Sequence, residues 1–183
     1  MKTKTLFLIL LSSLLVVGCK NKSEENNEPT PPEPSFTKIT EEQLMSYFPY
    51  TTGRRLAFET ESYATLYYTV TEAKLTNNSN IMELNVSMKE EGVETTGLTY
   101  QVIDMKTTVT DSKILKTEFT NYRVYSSSKM WETTGSYTYD ASKNDSLPEK
   151  IVLTNGAIVQ KDKGLIYYED YDSYKWYFWA FLQ

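Results

Sequence analysis

The residues that could do chemistry in this chain are carboxylates, tyrosines, lysines and arginines. Imidazole is missing: the 183-residue sequence has no histidine and a single cysteine. Without imidazole there is no general base for Ser-His-Asp or Cys-His catalysis. The same gap removes ordinary zinc and other imidazole- or thiolate-based metal sites, and one cysteine cannot form an internal disulfide. No glycine-rich phosphate loop of the Walker or Rossmann type occurs. Two carboxylates held roughly 5 to 9 Å apart can hydrolyse a glycosidic bond. Nothing among the 24 acidic residues marks one pair as acid and nucleophile. The residue types point to a non-enzyme with no cofactor and no metal, a carboxylate hydrolase being the catalytic alternative.

Three local clusters invite chemistry. Glu169-Asp170-Tyr171-Asp172 could offer oxygen ligands to calcium, but it lacks the spacing and the turn glycine of an EF-hand loop, so it reads as a solvated hairpin turn. Arg54 and Arg55 could grip an anion bidentately. On a strand they point to opposite faces, so one of them is expected to pair with a surface acid instead. The tyrosines are abundant, 15 in all, and exposed tyrosine presents an apolar face with a polar tip suited to sugars, peptides and protein partners. Most should fill strand faces. Tyr67, which shares an outward strand face with Thr65, Thr69 and Thr71, and Tyr171 and Tyr174, in and beside the acidic turn, are the candidate binding residues.

The start of the chain supplies an address. Lys2 and Lys4 precede an apolar run from Leu6 to Val17, too short for a spanning helix of roughly 20 residues and shaped like a secretory signal. Val16-Val17-Gly18-Cys19 resembles the bacterial lipobox, which implies cleavage before Cys19, lipidation of that residue and attachment to the membrane through the lipid. Residues 1–18 are thus a signal peptide. Residues 19–37 are rich in Pro, Asn, Glu and Lys and carry too little apolar surface to fold, so they form a tether. The Cys-Lys start with Ser23-Glu24-Glu25 resembles the acidic export signal of surface lipoproteins in the Bacteroidota. That resemblance implies an outer-membrane lipoprotein exposed at the cell surface, with a periplasm-facing location as the alternative. Asp145-Ser146-Leu147 resembles the short pattern that is O-glycosylated in exported proteins of that group, making Ser146 a candidate glycan site. Cleavage removes two lysines from a chain whose formal net charge is already −5. An acidic chain without a basic cluster does not suit nucleic acid.

The elements that must position these residues lie in 38–183. Thr40 and Gln43 fit a capping box, Glu41 and Glu42 suit the positive end of a helix, and Pro49 ends the run. One short N-terminal helix is expected, with Leu44 and Phe48 facing the body. Beyond Gly53 the pattern is strand. Met82, Leu84, Val86 and Met88 alternate with polar residues, as do Ala64, Leu66, Tyr68 and Val70. Asn155-Gly156 predicts a two-residue type I′ hairpin, with further turns at 161–164 and 169–173. The fold class expected is all-β: a single antiparallel meander forming a barrel or, as second choice, a β-sandwich. The lipobox, the "EEQLMSYFPYTTGRRLAFE" entry and the closing hairpins are together similar to lipocalin-like (calycin-type) domains. The aromatic end "YKWYFWAFLQ" reads as a strand apolar on both sides. It is therefore expected to be covered on both, one face under the helix or a loop.

These features imply a lipid-anchored cell-envelope protein whose domain is a non-catalytic binding module for a glycan, a peptide or a small apolar ligand. A structural or accessory subunit of an outer-membrane assembly is the alternative, with a protein partner.

Overall fold

The computed structural model describes residues 38–92, 99–144 and 146–182. Cys19, the leader, the tether and Asp145 lie outside them.

The chain enters through Thr40, whose hydroxyl accepts from the Gln43 N–H at 3.2 Å while the Gln43 side chain accepts from the Thr40 N–H at 3.0 Å. This reciprocal cap starts α1 (Glu41–Tyr47), with Glu41 and Glu42 in its first turn. Leu44 and Tyr47 are buried along the helix and Phe48 just beyond it.

The rest alternates as strands do. Ten strands follow: β1 (Arg55–Glu59), β2 (Thr65–Asn78), β3 (Ile81–Glu90), β4 (Tyr100–Thr110), β5 (Ile114–Tyr125), β6 (Ser128–Asp140), β7 (Lys150–Val152), β8 (Ile158–Gln160), β9 (Gly164–Glu169) and β10 (Lys175–Leu182). They form one antiparallel sheet ordered β6-β5-β4-β3-β2-β1-β10-β9-β8-β7. The sheet curls into a nearly closed barrel, the first of the two expected architectures. No ladder joins its edges β6 and β7. The tip of the β7–β8 hairpin seals the gap instead: the Thr154 N–H donates to the Ser136 carbonyl, and the Thr154 hydroxyl accepts from the Ser136 N–H, both at 3.0 Å. Gly135 lets the hairpin approach closely there, since a Cβ would stand 2.0 Å from the Asn155 side-chain oxygen and that side chain would have to shift.

The meander puts the connections alternately at two ends. The helix closes one end: Ile39 N–H donates to the Ser112 carbonyl of the β4–β5 turn, and Asp162 N–H of the β8–β9 turn donates to the Ser46 carbonyl. The β1–β2, β5–β6 and β9–β10 turns stand at the other end, here called the mouth. Between them the interior is filled by large side chains, including Tyr50, Phe58, Tyr68, Phe119 and Tyr168. Phe58 meets Tyr68, Tyr168 and Phe178 edge-on.

Two local expectations are corrected. The Asn155-Gly156 turn is not type I′: Gly156 has φ +84°, but Asn155 is not among the positive-φ residues. Leu153 and Ala157 pair across a three-residue loop, with Gly156 N–H donating to the Leu153 carbonyl at 2.9 Å. A type I turn ending in a left-handed glycine fits this pattern. Two-residue turns with both φ positive occur instead at Asp111-Ser112 and Ser126-Ser127, where no glycine advertised them.

The tail is the second correction. A register shift between Ala57 and Phe58 opposite β10 leaves Trp179 unpaired, with Ala180 facing Ala57 and Phe178 facing Phe58. The bulge turns Phe181 to the interior beside Phe178 and Tyr50. Trp176, Phe178 and Phe181 thus face inward, while Tyr177 and Trp179 remain exposed, Trp179 by 59%. The helix does not cover the outer face of this strand. It closes the end of the barrel.

Candidate functional site

The mouth carries a buried polar relay. Tyr68 and Tyr168 hydroxyls meet at 2.8 Å, and Tyr68 donates onward to Gln101 Oε1 at 2.5 Å. Gln101 Nε2 donates to Asp170 Oδ2 at 3.2 Å, and Trp176 Nε1 donates to the same oxygen at 2.9 Å. Asp170 Oδ1 accepts the Tyr174 N–H at 3.0 Å. Burial pushes both phenols well above their usual pKa, so they stay neutral hydrogen-bonding groups.

The inner faces of β3 and β5 add three more polar residues, Glu90, Asn121 and Arg123, beside Gln101 of β4. Strand register places Arg123 opposite Gln101 and Asn121 opposite Ile103, so Asn121 sits one inward position deeper than Arg123. Glu90 accepts the Gln101 N–H at 2.7 Å. Burial raises its carboxyl above the usual range, against the opposing pull of that hydrogen bond and of Arg123. Arg123 reaches Asp172 at 3.3 Å with one terminal nitrogen. Its Nε has no partner, and neither has Asn121 Nδ2, although Asn121 is only 3% exposed. Unpaired buried donors are uncommon and costly, on the order of 1–3 kcal/mol each.

Above these donors stands an aromatic pair. Trp131 of β6 and Tyr171 of the β9–β10 turn stack with centroids 5.7 Å apart and planes 26° apart. Each remains open to solvent, 40% and 54% exposed. Trp131 holds φ at +52°, an outlier for a bulky residue and a form of strain that concentrates at functional sites. The strain arises where β6 bulges opposite Asn121 and Arg123. The Arg123–Asp172 pair and the Trp131–Tyr171 stack both reach across the mouth to one turn. An exposed ion pair and an aromatic stack together hold the Tyr171 and Asp172 side chains by only about 1–2 kcal/mol, while the buried Asp170 anchors the base of the turn.

The sequence-derived candidates fall in different places. Tyr171 and Tyr174 lie at the mouth, both more than half exposed. Tyr67 does not join them. It faces outward opposite Ala57, beside Glu91, which holds Arg55 at 2.7 and 2.5 Å and accepts from Thr69. Arg54 caps the Pro49 carbonyl at 2.8 Å and lies over the Phe181 ring, so the two arginines form no clamp. Tyr68, Tyr139 and Tyr168 are core. Ser146 is exposed in the β6–β7 connection; Cys19 lies outside the described residues. The acidic turn is a hairpin turn, but Asp170 is buried and taken up by the relay. Among the described residues no group of three or more acidic or thiolate side chains could hold a metal ion.

Sequence reasoning passed over Trp131, Asn121 and Arg123. The available signal for the first was a lone tryptophan in the polar stretch "SSSKMWETTG". For the others it was the alternation Leu115, Thr117, Phe119, Asn121, Arg123, in which polar residues continue an apolar face. Comparison with protein-family models, with curated proteins and with solved structures finds no match.

Proposed function

We propose that this is a lipid-anchored cell-envelope protein whose domain is a non-catalytic binding module, and that the barrel mouth is its binding face. The observation that carries the reading is the Trp131–Tyr171 pair: two large aromatic rings left open to solvent, Trp131 on strained backbone, beside unpaired buried donors. Packing alone explains neither the strain nor the orphaned groups. The filled interior argues against a small apolar ligand enclosed in the barrel and leaves a glycan or a peptide. Lipidation of Cys19 and surface exposure remain parts of this proposal.

A second reading rests on the outer wall. Trp179, Tyr177 and Tyr67 are exposed there, and Tyr167 packs on Tyr177 at 5.2 Å. Such a surface suits an accessory subunit docking to a protein partner.

One array experiment separates the two. The full chain in detergent is applied to glycan and peptide arrays as wild type, as Trp131→Ala/Tyr171→Ala and as Tyr177→Ala/Trp179→Ala. The mouth reading expects the first double variant to lose binding at least tenfold and the second to keep it. Loss in the second variant alone would replace it with the outer-wall reading.

A further inference from the structure

Resting on the mouth as the binding face, we propose that its ligand is a neutral saccharide. The sugar ring takes the place of Tyr171 against the Trp131 ring, and its oxygens accept from Arg123 Nε and Asn121 Nδ2.

The unpaired atoms set the first requirement. Both are donors, so the ligand must bring acceptor oxygens, and an aliphatic chain would leave them as they are. Asn121 is buried in the present arrangement, one inward position below Arg123, whose guanidinium holds Asp172 of the turn. Displacing Tyr171 and Asp172 opens it, and the ligand then supplies the partners that the closed state lacks.

Charge sets the second requirement. Glu90, Asp170 and Asp172 stand against one guanidinium, that of Arg123. Three carboxylates to one cation oppose a carboxylate or phosphate ligand. Hydroxyl groups escape this conflict because each both donates and accepts. A displaced Asp172 can take a hydroxyl proton as acceptor while Arg123 and Asn121 donate.

Shape sets the third. The two rings stack with planes 26° apart, so displacing Tyr171 frees a flat apolar indole face that matches the C–H face of a pyranose. Peptide recognition relies on pockets for anchoring side chains or on strand addition. The depression beside it, about 320 Å3, is lined by Thr60, Glu61, Ser62, Ser173, Tyr174 and Lys175, a mostly polar set.

The test is a set of titrations of the full chain, following tryptophan fluorescence. The probes are neutral tetrasaccharides of glucose, mannose and N-acetylglucosamine, a tetragalacturonate and a tetrapeptide library. Wild type, Trp131→Ala, Asn121→Ala and Asn121→Leu are compared, each with its Tm. The expected result is saturable binding of at least one neutral saccharide and none of the galacturonate. Both Asn121 variants should then weaken it at least tenfold, although Asn121→Leu melts at or above the wild-type temperature because an unpaired buried donor is gone. Unchanged affinity in a folded Asn121→Leu protein would overturn the assignment of Asn121. Binding of galacturonate as tight as the neutral sugars would overturn the requirement for neutrality. Peptide binding that depends on Trp131, without sugar binding, would overturn the saccharide and leave the mouth as the binding face. No Trp131-dependent binding of any probe would overturn both.

Discussion

At the scale of single residues, the mouth is a place where burial and charge are in tension. Glu90 shows it most clearly. Its carboxyl sits above the ordinary range because it is partly withdrawn from water, with Gln101 N–H and Arg123 only partly offsetting this. A folded-state pKa above the unfolded one means that the native state keeps a proton the unfolded state has released. Stability from this group is therefore highest at or below the ordinary carboxyl range and falls as pH rises through the raised pKa. Glu91 has the opposite sign: the Arg55 hydrogen bond holds its carboxyl low, so its contribution is lost as pH falls. Glu90→Gln keeps an acceptor for Gln101 N–H and removes the titration. Melting curves against pH should show the variant above wild type at pH 7, with the difference vanishing near pH 4. A difference that stays constant over that interval would show that Glu90 titrates normally. Little of this was legible in sequence. Glu90 ends an alternating strand as one more polar residue, and only the partner register puts it against Gln101 and Tyr68.

Elements were read more successfully where periodicity is local. Met82 to Met88 face the core as their alternation requires, and Thr40 caps α1 through the box its spacing implies. Turns and bulges were harder, because their conformation depends on which strands they join. The sharpest sequence signal, Asn155-Gly156, adopts a longer loop in which the Asn155 side-chain oxygen accepts the Ala157 N–H at 3.3 Å. Meanwhile Asp111 and Ser112 hold φ at +51° and +55° without glycine, and Lys113 N–H closes their turn on the Thr110 carbonyl at 2.9 Å. Left-handed backbone costs an ordinary residue about 1 kcal/mol. Asp111→Asn with Ser112→Gly should therefore stabilise the protein by about 1 kcal/mol, a rise in Tm of roughly 3 °C for a domain of this size. A fall in Tm would mean that side chains at this turn contribute more than its backbone strain costs. The tail follows the same logic. One bulge at Trp179 converts a strand that reads as apolar on both sides into an inner aromatic row and an exposed one, and nothing in "YKWYFWAFLQ" announces the bulge.

For the whole molecule, the meander order was legible from successive hairpins, while the site was not. It is assembled from β5, β6 and the β9–β10 turn, which meet only because the sheet curls until its ends approach. Helix and turns close one end, large side chains fill the middle, and two of the three unpaired buried donors among the described residues, Asn121 Nδ2 and Arg123 Nε, lie toward the other. That arrangement is the central claim, and the chain carries its own reporters for it. Its three tryptophans sit in three different settings: Trp131 at the mouth, Trp176 in the relay against Asp170, and Trp179 on the outer wall. The direct test is a titration of the 15N-labelled full chain with neutral oligosaccharide, following the indole N–H resonances. The account predicts a large shift for Trp131, a smaller one for Trp176 as the turn above it moves, and none for Trp179. A shift confined to Trp179 would contradict it and move the binding face to the outer wall.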